Sequence, residues 1–175
     1  IISKEALRIK VLLENQGITV KYDDRKTHKP GWKFAEYELK GVPIRLALGG
    51  RDIENNTIEL ARRDTMTKEI INIEGIDDKI NLLLENIQRN LFEKALEFRR
   101  KNTFIANTKE EFKDLINKGG FVYAHWDGTK KTEQMIKDET KATIRCIPLD
   151  KNNELGVCLL SGNQSKKRVL FAKAY

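Results

Sequence analysis

The chain has 175 residues, of which 39% are hydrophobic and 34% are charged, and its formal net charge is +7. This length allows one large or two small domains, and no apolar run approaches the roughly 20 residues of a membrane-spanning helix, so none is expected. Two cysteines are too few for a disulfide scaffold and fit a reducing cytoplasm, while the positive charge favours a polyanionic partner without indicating a fold.

The first predicted helix covers residues 4–15, because Ser3 can cap its start and Gly17 suits its exit. The following segment, Ile18–Tyr22, has the composition of a short strand. The chain opens at Ile1 on a helix with no strand before it. We therefore expect a fragment from which the first strand of the domain is missing.

Proline and glycine delimit the second predicted helix, since Pro30 suits its start and Gly41 its end. Ile44–Leu48 is a compact apolar run typical of a buried strand. Thr57–Arg63 alternates between apolar and polar residues, which predicts a neighbouring strand in the same sheet.

A long helix predicted over about 77–101 ends the first domain. Its apolar stripe is expected to lie in the core and consists of Ile80, Leu83, Leu84, Ile87, Leu91, Ala95 and Phe98. The order of strands and helices indicates an α/β domain over residues 1–101, in which helices flank a mixed sheet.

A second, smaller α+β domain is predicted over residues 102–175. Thr108 and Glu111 form a capping box for a helix over 109–118, and Gly119-Gly120 suits its end. The remaining elements expected here are a helix around 132–139 and strands at Phe121–Trp126, Ala142–Ile147, Gly156–Leu160 and Arg168–Ala174.

The helix that begins at Pro30 carries residues with the chemistry to read guanine. Lys33, Glu36 and Lys40 share one face by their spacing, and Arg45 follows on the next strand. Unpaired bases are recognised along their exposed edges, where guanine offers two N–H donors to a carboxylate and an oxygen acceptor to Lys or Arg. The alternative is a solvated helix face with ordinary surface ion pairs.

Five sequence blocks in the first domain carry a family resemblance: Asp23–Arg25, Pro30–Phe34, Glu38–Pro43, Gly49–Ile53 and Ala61–Thr65. Together they closely resemble the anticodon-binding domain of prolyl-tRNA synthetases of the archaeal/eukaryotic type. The fold expected from composition and element order agrees with that resemblance.

The resemblance implies that this domain binds tRNA(Pro) and reads the two guanines of the proline anticodon. It assigns that role to Glu36, Lys40 and Arg45, and also to Arg25 and Lys33. Trp32 lies on the apolar side of its helix, so we interpret it as a packing anchor rather than a platform for a base.

The second domain resembles the C-terminal domain of the same synthetases through Gly119–Trp126, Ala142–Pro148 and Arg168–Tyr175. The resemblance implies that the full protein is a homodimeric class II ligase that joins proline to tRNA with ATP and Mg²⁺. The catalytic domain is absent from this chain, which we expect to be inactive alone. Tyr175 would approach the active site in the full enzyme.

The resemblance implies that four cysteines of this domain hold a zinc ion in many relatives. The matching positions here are Asp127, Thr132, Cys158 and Ser161. Since structural zinc sites favour cysteine and histidine, we predict that this chain binds no zinc. The loops would be held by packing and by hydrogen bonds through Asp127 and Ser161.

Two other functions remain compatible with the basic composition. The chain could be a stand-alone, non-catalytic RNA-binding module, or an interaction domain whose basic surface has no specific partner. The absent first strand argues against the stand-alone module, because a free domain would be expected to carry a complete sheet.

Overall fold

The computed structural model describes residues 1–149 and 154–173. They form two compact units, Ile1–Lys94 and Ala95–Tyr175. In these described ranges no helix is both long enough and apolar enough to span a membrane. Tyr175, expected near an active site in the full protein, lies outside the described residues.

The first unit places helices on an antiparallel sheet of three short strands. Pairing runs in the order β1-β2-β3, with Leu46 opposite Leu60 and Ile58 opposite Ile71. Its elements are α1 (Ile2–Asn15), α2 (Pro30–Leu39), β1 (Ile44–Ala47), α3 (Gly50–Glu54), β2 (Thr57–Arg62), β3 (Lys68–Asn72) and α4 (Ile76–Lys101), inside which the division between the units falls.

The core of this unit lies between β2 and the helices α1 and α4. Leu60 is fully buried, and it clusters with Ile9 and Leu13 of α1 and with Ile76 and Ile80 of α4. The predicted α/β class is thereby confirmed. All strand pairs in this sheet are antiparallel, and the expected mixture of parallel and antiparallel pairs occurs in the second unit instead.

Ile18–Tyr22, predicted as a strand, is not part of a sheet in the described residues. Ile18 and Val20 are half-buried and pack against the core, which explains the apolar alternation in the sequence. The amide of Ile18 instead donates to the carbonyl of Leu13 at the end of α1. Alternation reports burial of one face, and it does not require a partner strand.

The expectation that the whole apolar stripe of α4 lies in the core is wrong for its second half. Ile80 and Ile87 are buried, whereas Leu91 and Phe98 are 49% and 71% exposed. The helix is 26 residues long and extends about 39 Å, and the residues by which it joins the core of the first unit, Ile76, Ile80, Leu83 and Leu84, all lie in its first turns. The stripe beyond these turns is therefore not covered by that core.

A buried carboxylate ties the end of β2 to α4. The side chain of Asp64 is 1% exposed and accepts two hydrogen bonds from the Arg62 guanidinium, at 3.0 and 2.7 Å. Asn90 donates to the same carboxylate at 2.6 Å, and Lys94 donates to the Asp64 carbonyl at 3.0 Å. The bonds from Arg62 lower the pKa of Asp64 to about 2 against the opposing effect of burial, and the bond from Asn90 adds to this.

The second unit is a small α+β module, as predicted, and its four-stranded sheet is mixed. Its pairing order is β4-β5-β9-β6, in which only β4 and β5 run parallel. Its elements are β4 (Thr103–Ile105), α5 (Lys109–Lys118), β5 (Phe121–His125), α6 (Lys130–Thr140), β6 (Ala142–Cys146), a two-stranded pair β7 (Gly156–Val157) and β8 (Gln164–Ser165), and β9 (Arg168–Lys173).

The capping box predicted for α5 is confirmed, because Thr108 accepts from the Glu111 amide while the Glu111 carboxylate accepts from the Thr108 amide. The strand predicted at 156–160 is only two residues long. It ends early because the chain turns at Leu159, and that side chain packs against the core instead of extending the strand.

Candidate nucleic-acid interface

Residues at the two ends of α2 determine where this helix begins and where it ends. Pro30 occupies its first turn, where its fixed φ fits and its missing N–H costs nothing. At the other end Gly41 adopts φ +81°, so that its amide and that of Val42 bond back to the carbonyls of Glu38 and Tyr37. These two bonds end the helix and satisfy two of the carbonyls in its last turn.

Glu36 lies at the centre of an ion network on the surface of α2. Its carboxylate accepts from the Arg25 guanidinium at 2.6 Å and from the Lys40 ammonium at 2.5 Å. These bonds, first that from Lys40 and then that from Arg25, lower the pKa of Glu36. The side chain of Lys40 is 58% exposed, and that of Glu36 is 20% exposed. Glu36 is therefore an ionised acceptor held at the surface by two cations.

Asp23 fixes the other side of the same network. Its two carboxylate oxygens accept from the Arg25 guanidinium at 2.9 and 2.7 Å, and Lys33 lies 3.5 Å away. The hydrogen bond from Arg25 is the main cause of the pKa of Asp23 lying well below its usual range. Asp23, Arg25, Lys33, Glu36 and Lys40 thus form a single chain of ion pairs, which we call the α2 ion network.

Trp32 is exposed beside this network, so the expectation that it anchors the core is wrong. It is 49% exposed, and its ring stacks on that of His28 with centroids 3.9 Å apart. The guanidinium carbon of Arg25 lies 5.4 Å from the centroid of the Trp32 ring. Ala35 and Leu39, on the same side of α2, are exposed as well. This apolar side of α2 faces away from the core.

Arg45 is set apart from the α2 ion network. Its side chain is 11% exposed and pairs with Glu59 at 3.0 Å, and its guanidinium carbon lies 3.5 Å from the centroid of the Phe34 ring. Two of its guanidinium nitrogens, Nε and Nη2, are buried without a hydrogen-bond partner among the described residues. The structure therefore brings together four of the five predicted guanine-reading residues and gives Arg45 a separate environment.

Asp23 and His28 lie at this site but are not among its predicted residues. The spacing of Asp23 and Arg25 is a usable signal, since a short acidic side chain commonly bonds the backbone two residues on, and Asp23 does accept from the Arg25 amide. The stacking of His28 on Trp32 depends on how the loop meets the helix, which spacing does not reveal.

Comparison with known proteins identifies both units. A family model described as the anticodon binding domain matches residues 2–82, and one described as the prolyl-tRNA synthetase C-terminal domain matches residues 109–175.

Curated relatives match along almost the whole chain but extend well beyond it. The proline–tRNA ligase of Porphyromonas gingivalis is 56% identical, and that of Parabacteroides distasonis 57% identical, each over 99% of this chain and 35% of its own length. The chain therefore spans about a third of the curated relatives that it matches.

A solved structure with the same fold is the prolyl-tRNA synthetase from Cryptosporidium parvum complexed with L-proline and AMP. It superposes with a TM-score of 0.92 at 32% identity, over 99% of this chain and 37% of that protein. The chain thus belongs to the prolyl-tRNA synthetase family and carries its anticodon-binding and C-terminal domains.

Proposed function

We propose that this chain binds tRNA(Pro) and reads the guanines of its anticodon, as the RNA-binding part of a proline–tRNA ligase. The observation that carries the proposal is the α2 ion network, in which an ionised Glu36 is held at the surface between Arg25 and Lys40. The match of the first unit to an anticodon binding domain and of the second to a prolyl-tRNA synthetase C-terminal domain supports it.

Glu36 can still accept hydrogen bonds from a base while it is paired. Each carboxylate oxygen has two acceptor directions, and Arg25 and Lys40 each use one direction on a different oxygen. The two that remain match the adjacent N1–H and N2–H donors of guanine. Adenine presents an acceptor at N1 instead of a donor, so the same carboxylate would disfavour it.

The flanking cations have a second role in this proposal. Lys40 and Arg25 can donate to the O6 atom of a guanine or to a neighbouring phosphate. Phosphate contacts would fix the position of the loop, and the contact to Glu36 would specify the base.

The chemical steps belong to the rest of the protein in this proposal. The Cryptosporidium parvum synthetase is described as a complex with L-proline and AMP, which fits activation of proline by ATP. The full protein would form prolyl adenylate with ATP and Mg²⁺ and transfer the prolyl group to tRNA. It would act as a homodimer, and Tyr175 would approach its active site. The curated relatives that match nearly the whole of this chain are proline–tRNA ligases. This favours the ligase function over a stand-alone RNA-binding module.

Binding of anticodon stem-loops tests the proposal directly. The 175-residue chain should bind a stem-loop with the proline anticodon more tightly than one whose two guanines are replaced by adenine. Each lost bidentate contact is worth about 1–3 kcal/mol, so we expect roughly 10- to 100-fold weaker binding in fluorescence anisotropy. Equal affinities for the two loops would contradict direct reading of guanine.

Trp32 should contribute to binding without selecting the base. Its exposed, His28-stacked ring can support an unpaired base, and such stacking is worth about 1–3 kcal/mol per base. We expect Trp32→Ala to weaken binding of both stem-loops about 10-fold, while Trp32→Phe, the matched control, keeps most of the affinity. Unchanged anisotropy titrations with Trp32→Ala would show that no base stacks there.

A further inference from the structure

A second hydrogen-bonded cluster lies in the C-terminal unit, around the carboxylate of Asp127. One oxygen accepts from the Thr129 amide and hydroxyl, both at 3.0 Å, and from the Thr132 hydroxyl at 2.5 Å. The other oxygen accepts from the Ser161 hydroxyl at 2.7 Å and from the Asn163 side-chain amide at 3.3 Å. Five donor atoms therefore surround one side chain.

The cluster connects two adjacent segments, the loop after β5 and the start of α6, to a turn whose Ser161 is 34 residues further along the chain. Asp127 follows β5, Thr129 and Thr132 form the start of α6, and Ser161 and Asn163 belong to the turn between β7 and β8. Thr129 is also the N-cap of α6, since its side chain accepts from the Thr132 amide. The Trp126 indole N–H also donates to the Thr129 carbonyl at 3.2 Å, which ties the end of β5 to the start of α6.

The donor set of this cluster does not suit a metal ion. A carboxylate offers about four acceptor directions, and the five donors around Asp127 use all of them. Burial raises the pKa of Asp127, but the bonds from Thr132 and Ser161 outweigh it and hold that pKa well below its usual range. The neighbouring Thr132 and Ser161 contribute hydroxyls rather than thiolates or imidazoles, which zinc prefers. In residues 1–149 and 154–173 no three His, Cys, Asp or Glu side chains are grouped to hold a metal.

We infer that the Asp127 carboxylate is a metal-independent cross-link that holds the β5–α6 loop to the β7–β8 turn, in place of the zinc ion that four cysteines would bind at the matching positions. Cys158, the one cysteine at those positions, is 2% exposed and serves as a small apolar residue of the turn. This inference concerns folding of the C-terminal unit and is independent of the proposed anticodon reading.

Thermal unfolding of the full 175-residue chain tests the inference. A Trp32→Phe background leaves Trp126, next to the cluster, as the single tryptophan, so its emission reports the C-terminal unit. Asp127→Ala removes the acceptor from five donors, and we expect the Tm to fall by roughly 10 °C. Asp138→Ala is the matched control, because Asp138 is exposed on α6 and its carboxylate accepts from Gln134, and its Tm should change by no more than about 2 °C.

Metal analysis provides the second measurement. Protein expressed in zinc-supplemented medium should contain well under 0.1 zinc per chain, and EDTA should leave its Tm unchanged. Added zinc should not restore the Tm of Asp127→Ala. One zinc per chain, a Tm that falls with EDTA, or an Asp127→Ala variant as stable as its parent would each overturn the inference.

Discussion

Replacing Glu36 by Gln should remove most of the preference for guanine over adenine in the anticodon loop. Glutamine keeps one acceptor oxygen but places an amide donor where the second oxygen was, so it cannot accept from N1–H and N2–H together. It also loses the charge that orients Arg25 and Lys40. We expect the ratio of affinities for the two stem-loops to fall by roughly 10-fold or more, measured by anisotropy at fixed salt concentration.

Glu38→Gln is the matched control for this prediction. Glu38 lies on the same helix. Its backbone carbonyl accepts from the Gly41 amide and from the Arg63 guanidinium, whereas its side chain makes no hydrogen bond or ion pair within the described residues. The control should retain the preference of the unaltered chain. A Glu36→Gln variant that discriminates as well as the control would show that another residue reads the base. Arg45, two of whose guanidinium nitrogens have no hydrogen-bond partner in the described part of the chain, would be the next to test.

Asp64→Ala should destabilise the first unit by about 2–3 kcal/mol. The substitution leaves the Arg62 guanidinium largely buried without its counter-ion and removes the acceptor for Asn90. Urea unfolding followed by Trp32 emission, with Trp126→Phe to silence the other unit, measures the change. The exposed Asp78 in the first turn of α4 gives the control Asp78→Ala, for which we expect a loss of about 0.5 kcal/mol.

The same carboxylate makes stability depend on pH at the acid end. The pKa of Asp64 is about 2 in the folded chain and near 3.9 in an unfolded one, so the unfolded chain binds more protons between these values. Its contribution is therefore present above about pH 4 and is lost as the pH falls towards 2. Asp64→Ala should flatten this part of the stability curve, and an unchanged curve would contradict the assignment.

Local sequence signals predicted the elements whose ends are set by neighbouring residues. Pro30 and Gly41 delimit α2 in the structure, and the capping box of Thr108 and Glu111 forms at α5 as expected. Such signals succeed because each involves atoms only a few residues apart, so the rest of the fold does not alter them.

For Trp32 and the second half of α4, helical periodicity predicted burial that the structure does not show. Periodicity identifies residues that share a helix face, but it does not reveal what covers that face. The side of α2 that carries Trp32 meets no core, and Phe98 lies beyond the turns of α4 that join the core of the first unit. Asp64 was not recognised for a related reason, since its partner Asn90 is distant in sequence and is brought close only by packing of β2 and α4.

In the proposed function, the charge balance of the α2 ion network separates the capture of RNA from the selection of its bases. Three cations, Arg25, Lys33 and Lys40, face two carboxylates, Asp23 and Glu36, which leaves 3 − 2 = +1 in the network, against +7 for the chain. Long-range attraction of a polyanion must then come mainly from other parts of the surface. Ionic strength would consequently govern how often and how firmly any RNA is captured, while the choice among anticodons depends on short contacts that dissolved salt screens far less.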